Sequence, residues 1–223
     1  QWGPAFDAAF NSRSIYPAWK RIDQETHIIT LSLDHDWNGF HIRDDFRGEF
    51  YSQTNTLETG DFFNDGSARP DFVSTQEDDY QHFQGSNALT IEKKLKPWWL
   101  ASGGYYYSHL NGDANLALGN FDPSNPGGAG MAFTSRGIQL SSESHIMNVN
   151  SLLGPWKHLT GYGGIQTEWT RRKGTGDTTF FDSPTTLGSN VDRFQIEENF
   201  GIRHTGIPNT ILYTDVRLQQ ESI

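Results

Sequence analysis

Four tight-turn signals recur at near-even intervals and divide the chain into paired stretches that alternate apolar and polar residues. They are Trp37-Asn38-Gly39-Phe40, Lys96-Pro97-Trp98, Gly154-Pro155-Trp156-Lys157 and Gly206-Ile207-Pro208-Asn209. From Asn38 to Pro97 is 59 residues, from Pro97 to Pro155 is 58, and from Pro155 to Pro208 is 53. Asn-Gly or a Pro-bearing turn between alternating runs is the signature of a β-hairpin end. Long polar stretches rich in Gly, Asn, Asp and Ser separate the hairpins. The chain is thus expected to form a meander of antiparallel strands, with short turns at one end and long loops at the other.

The period of two is clearest after the first turn. There Phe40, Ile42, Asp44, Phe46, Gly48 and Phe50 oppose His41, Arg43, Asp45, Arg47, Glu49 and Tyr51. Ile29, Leu31 and Leu33 oppose Thr30, Ser32 and Asp34, and Leu89 and Ile91 oppose Thr90 and Glu92. Met147, Val149, Leu159, Ile165 and Trp169 continue one set; Asn148, Asn150, Thr160, Gln166 and Glu168 continue the other. Around the last turn Phe194, Ile196, Phe200, Ile202, Leu212, Val216 and Leu218 oppose Arg193, Gln195, Glu197, Arg203, Tyr213, Asp215 and Arg217. This predicts eight strands, at 26–36, 40–51, 87–96, 98–109, 143–153, 157–171, 191–205 and 209–220. The run from Trp98 to His109 alternates poorly, and its facing stays open. Residues 1–25 read as a leading loop or partial strand and 26–223 as one β unit of about four hairpins.

Runs of about 10 to 14 residues exceed the usual soluble strand of about 5 or 6. Ten residues at roughly 3.3 Å each, tilted by roughly 40°, span about 25 Å, the height of a bilayer's apolar band. Aromatics fall at both ends of that span. Trp37, Trp98, Trp99 and Trp156 sit by the turns; Phe50, Tyr51, Tyr105, Tyr106, Tyr107 and Trp169 sit by the loops. Asp44, Lys93 and Glu198 interrupt the apolar set, and they keep a soluble, secreted all-β carbohydrate- or ligand-binding module as the alternative.

Composition narrows the function. Mean hydropathy is −0.64, and no apolar run approaches the roughly 20 residues of a membrane helix. A β-wall evades that limit, because only alternate residues of each strand meet lipid. With no cysteine, disulfides, thiolate metal sites and covalent haem attachment are excluded. A net charge of −10 argues against nucleic acid. No cofactor is expected on this chain.

In these strands, turns and aromatic ends the chain resembles bacterial outer-membrane β-barrels of the porin type. The resemblance implies an antiparallel up-and-down transmembrane barrel, or an eight-strand segment of a larger one, in the bacterial outer membrane. It also implies a non-enzymatic role in transport of small solutes, with outer-membrane lipid as a partner. The stretch Ser14-Ile15-Tyr16-Pro17-Ala18-Trp19-Lys20-Arg21-Ile22-Asp23-Gln24-Glu25-Thr26 is similar to the porin sheaths of porin–cytochrome electron conduits. That resemblance implies a scaffold for electron transfer, a sheath around a multihaem cytochrome. The eight-strand reading begins and ends on the long-loop side, whereas such barrels keep both termini on the other. Either residues 1–25 hold a further strand or the chain is an internal stretch of a larger barrel, the second being favoured.

The candidate pore-lining residues are His41, Arg43, Asp45, Arg47, Glu49, Glu92, Lys94, Arg193, Glu197, Arg203, Asp215 and Arg217, a mixed-charge face able to select solutes. The membrane-interface aromatics are Trp37, Trp98, Trp99, Trp156, Tyr105, Tyr107 and Trp169. Glu58, Asp61, Asp65, Asp71, Glu77, Asp78 and Asp79 stand against Arg69 in a loop at 53–86 whose spacing matches no calcium loop. Asp34-His35-Asp36 and Ser144-His145 place neighbours on opposite faces of a strand, so neither a metal site nor a catalytic triad follows. Asn120 to Gly130 reads as a loop. No catalytic, cofactor or metal residue is assigned.

Overall fold

The structure, a computed structural model, describes residues 2–7, 12–61, 72–122, 131–180 and 183–223. Its strands are β1 (Trp2–Asp7), β2 (Ser12–Trp37), β3 (Phe40–Asp61), β4 (Phe72–Lys96), β5 (Trp99–Phe121), β6 (Met131–Trp156), β7 (Leu159–Phe180), β8 (Ser183–Ile207) and β9 (Thr210–Ser222). They form one antiparallel up-and-down sheet in the order β1 to β9, and the sheet is open. One edge is β9. The other is β1 beside Ser12–Pro17, followed by β2 from Ala18 to Trp37, which pairs with β3 alone.

The expected hairpins are present, each closed by a two-residue turn. Asn38 and Gly39 both take positive φ, 48° and 76°, as a tight hairpin of this hand requires. The third turn lies further along than the Gly-Pro signal suggests. The register skips from Leu153 to Trp156, so Gly154 and Pro155 form an irregularity in β6 and the chain reverses at Lys157 and His158.

Seven strands are much longer than the alternation indicated, β5 with 23 residues among them. β2 and β6 have 26 residues, β4 and β8 have 25, and β3 and β7 have 22. The span read as an acidic loop is therefore mostly strand: β3 continues to Asp61, β4 begins at Phe72, and Asp65, Arg69 and Asp71 lie outside the described residues. Residues 1–25 hold β1 and half of β2. Of the loop read at Asn120–Gly130, Asn120 and Phe121 end β5, and residues 123–130 lie outside the described part.

A line drawn across the sheet along the pairing shows how the strands are inclined. Starting at Trp37 it passes through Phe40, Lys93, Ala101, Ser151, Gly163, Phe200 and Val216. Lys93 lies three residues before the end of β4, Ser151 five before the end of β6 and Phe200 seven before the end of β8. The stagger is thus about one residue per strand. With roughly 3.3 Å per residue and roughly 4.8 Å between strands, turns set in one plane give a tilt of about 35°.

Candidate functional site

Pairing carries each strand's alternation across the whole sheet. One row reads Leu218, Glu198, Ile165, Val149, Gly103, Ile91, Ile42, His35; another reads Gln220, Ile196, Thr167, Met147, Tyr105, Leu89, Asp44, Leu33. The face opposite reads Gln219, Glu197, Gln166, Asn148, Gly104, Thr90, Arg43, Asp34 in the row between them. The facing of β5, open from sequence, is settled by this register: Trp99, Ala101, Gly103, Tyr105 and Tyr107 lie on the apolar side.

The apolar face is uncovered. Val149 is 62 %, Leu33 58 % and Ile202 57 % exposed, and no apolar side chain among the described residues is buried. A single sheet whose apolar side faces water over eight strands has no core to hold it, and the hydrophobic effect works against such an arrangement. The band is bounded at both ends. At the turns Trp37 stacks with Phe40 at 6.4 Å, while Trp98 lies 6.0 Å from Trp99 and 5.6 Å from Trp156. At the far end Phe50 meets Phe83 at 4.7 Å, and His145 lies 5.0 Å from Tyr107 and 5.1 Å from Trp169. The Tyr105 hydroxyl and His145 Nδ1 share a hydrogen bond of 2.7 Å. Tyr51, as its alternation indicated, and Tyr106 belong to the other face. From Phe40 to Phe50 is about 33 Å of strand, or about 27 Å of height at this tilt.

Beyond this upper girdle the alternation fades and the strands continue for another ten or so residues, with Leu57, Leu118, Phe133 and Phe180 sharing one row on the side of the polar face. Glu58, Glu77 and Asp79 stand on the same side as the apolar band, and Asp78 on the opposite one. Arg171 lies just above Trp169, 4.9 Å over its ring, and bonds Asp192 at 2.8 Å. The Asp192 hydrogen bond and charge hold that guanidinium more firmly protonated than usual.

All twelve candidate pore-lining residues share the polar face. It is the more crowded side: Thr170 is 3 % exposed, and the side chain of Glu197 18 %. Ion pairs cross it between Arg217 and Glu197 at 2.5 Å, Arg43 and Asp45 at 2.7 Å, and Arg193 and Glu221 at 2.9 Å, with Arg47 bonded to Glu49. His41 gathers Asp36 at 3.0 Å and Asp34 at 3.5 Å, while His35 turns to the other side. Ser144 bonds Thr170 on the polar face, opposite His145. No group of three or more His, Asp or Glu able to hold a metal occurs among the described residues.

Of the three charges that interrupt the apolar face, Lys93 sits in the row beside the turn, its Nζ 3.7 Å from the centre of the Phe40 ring. That placement suits an interfacial cation. Asp44 lies mid-band between Leu33 and Leu89, its Oδ1 shut from solvent without a hydrogen-bond partner. Asp44→Leu is expected to raise stability in a bilayer by about 1 kcal/mol, read from urea unfolding in vesicles. A loss of that size would mean that a polar partner covers the position.

One cluster was not legible from the sequence. On the polar face just above the girdle, Tyr51, Tyr80 and His82 bring their rings within 5.1 to 5.8 Å of one another. The His82 side chain is 12 % exposed, with Nε2 3.7 Å from Glu49. Burial pushes the Tyr80 phenol above its ordinary value, and the neighbouring Tyr51 adds to the shift.

No protein-family model matches the sequence, and no curated protein sequence matches it. Among solved structures, the ferric yersiniabactin uptake receptor FyuA from Yersinia pestis is similar at a TM-score of 0.48 and 9 % identity, over 90 % of this chain and 34 % of that one. FpvA of P. aeruginosa, bound to a heterologous pyoverdine with iron, gives 0.47 and 9 % identity over 93 % of this chain and 37 % of that one. The outer membrane transporter YddB from Escherichia coli gives 0.40 and 10 % identity over 89 % and 34 %. The chain spans about a third of the length of each of these proteins.

Proposed function

We propose that the chain forms the wall of an outer-membrane β-barrel, with its charged face lining a lumen through which polar solutes pass. The observation that carries this reading is the uncovered apolar band. It runs over eight strands with Lys93, Asp44 and Glu198 as its charged interruptions, stands about 27 Å high, and ends in an aromatic girdle on each side. Each property is one that lipid requires of a β-wall: apolar contact, matched height and amphipathic rings at both interfaces. The tilt of about 35° falls within the range of such barrels. A soluble binding module accounts for none of them, because it would fold a second layer over the apolar face.

Arg43, Asp45, Arg47, Glu49, Glu197 and Arg217 then line the passage as paired charges of both signs. Such a surface keeps the lumen wet and sets a field across it that weighs charged solutes. A lumen filled by a multihaem cytochrome uses the same wall, and it differs in what copurifies.

The test is extraction of the native protein with and without detergent, followed by gel migration before and after boiling. A protein that needs detergent, runs compact until boiled and conducts ions in planar bilayers is the expected result. Arg43→Glu and Arg217→Glu together are expected to shift the reversal potential toward cations. Haem absorbance that follows the protein through purification would replace the open passage with a sheath. Full solubility without detergent would sink the membrane wall itself.

A further inference from the structure

The ring cluster on the polar face has the makings of a binding site, and the ion pairs of the wall make no use of it. Tyr51 and His82 are cross-strand partners on β3 and β4, and Tyr80 is the next residue of β4 on that face, so the three rings make one platform spanning two strands. Beside it the partner of His82 on β5 is Gly112, and the partner of Tyr80 is Ala114. A Cβ placed on Gly112 would lie 3.2 Å from the His82 Cβ and 3.7 Å from the Tyr80 ring. The small residues thus leave a shallow seat against the edge of the platform.

The polar groups around this seat are mainly acceptors in want of donors. Asn55 and Asp78 face each other one row above Tyr80, and Oδ1 of each is closed off with no hydrogen-bond partner. Nδ1 of His82 is in the same condition. Oδ2 of Asp78 is engaged by Gln76 at 2.8 Å, and the Tyr51 hydroxyl donates to Gln53. Buried acceptors without donors are costly, and the terminal torsions of Asn and Asp are broad enough to turn an oxygen toward an arriving group. Gln53, Gln76 and Gln84 on the same face add amides that both donate and accept.

We infer that this shelf is a saccharide-binding site, in which a pyranose ring lies on the Tyr51–Tyr80–His82 platform and its hydroxyls donate to Asn55 and Asp78. Hydroxyls both donate and accept, which suits the surrounding amides. A guanidinium or ammonium would satisfy the carboxylate but leave the amide N–H groups facing another donor. The inference rests on reading the polar face as the lumen, and it names oligosaccharides as the solute class met at the long-loop mouth.

The experiment uses the native protein extracted into detergent micelles. Maltohexaose, cellohexaose and chitohexaose serve as probes, read by saturation-transfer NMR and tyrosine fluorescence. At least one should bind with a Kd of about 1 mM or tighter. Tyr80→Ala, His82→Ala and Gly112→Val should each weaken that binding at least about tenfold, while Tyr106→Ala, on the same face outside the shelf, leaves it unchanged. Compact migration before boiling verifies that each variant is folded. It also separates failure of the site from failure of the membrane reading, since a soluble fold would not show it. No binding by any probe to the folded chain, or binding indifferent to Tyr80→Ala and Gly112→Val, would overturn the assignment. Capture of an arginine-rich peptide in place of all three saccharides would overturn it as well.

Discussion

Val149→Arg is expected to destabilise the protein in a bilayer by about 2 to 4 kcal/mol, whereas Gln166→Arg costs less than about 1. Val149 lies mid-band on the apolar face, 62 % exposed, between Gly103 and Ile165. An arginine there must reach an interface more than ten ångströms away or drag water into hydrocarbon. Gln166 belongs to the next row but points to the polar face, between Asn148 and Glu197, where a guanidinium finds water and a carboxylate. The measurement is reversible urea unfolding in phospholipid vesicles, with the two variants side by side. In water the order would reverse in spirit: an exposed valine replaced by arginine improves solubility and costs little. Equal effects of the two substitutions would therefore remove the distinction between a lipid face and a lumen face.

The second large effect is expected at the β6–β7 turn. Gly154 has φ of 111°, in the left-handed half of backbone space that side chains avoid. A Cβ there would also stand 2.6 Å from the Leu159 carbonyl oxygen, a backbone atom that cannot swing aside. Backbone strain of about 1 to 3 kcal/mol and overpacking of similar size act together, so Gly154→Val is expected to cost about 3 kcal/mol or more. Gly161→Ala is the control, since its Cβ meets only the Gly201 carbonyl at 4.0 Å. That variant should fall within about 1 kcal/mol of the parent. A stable Gly154→Val would mean that the Leu153-to-Trp156 irregularity can be rebuilt without glycine.

What the sequence disclosed follows from where the two faces of the sheet differ in polarity. Between the girdles one face is apolar and the other polar, so alternation alone located the strands and sorted residues such as Ile91 from Glu92. Past Phe50 that contrast vanishes. Ser52, Thr54 and Thr56 are as polar as Gln53 and Asn55, and a strand with two wet faces reads like a loop. The same loss of contrast concealed the Tyr51–Tyr80–His82 platform. Tyr51 stands 29 residues before Tyr80 and 31 before His82, and only the register places His82 opposite Tyr51. The Gly154-Pro155 signal misled by two residues because it marks a break in the strand just before the reversal at Lys157 and His158.

The directions of the outermost strands carry one more consequence. β1 lies only beside Ser12–Pro17, so within the apolar band the outermost strands are β2, from Ala18 to Trp37, and β9. β2 runs toward the short turns and β9 away from them, so laid edge to edge they would make an antiparallel pair. The same pairing is open to copies of the chain standing in a ring about the membrane normal, because rotation about that axis leaves every strand's direction unchanged. Hydrocarbon offers no donors or acceptors to the bare backbone of Ala18–Trp37 or of β9, so neither edge can stay bare within the bilayer. A wall that keeps to antiparallel pairing throughout must therefore join these edges directly or through an even number of further strands, which makes the full circle even.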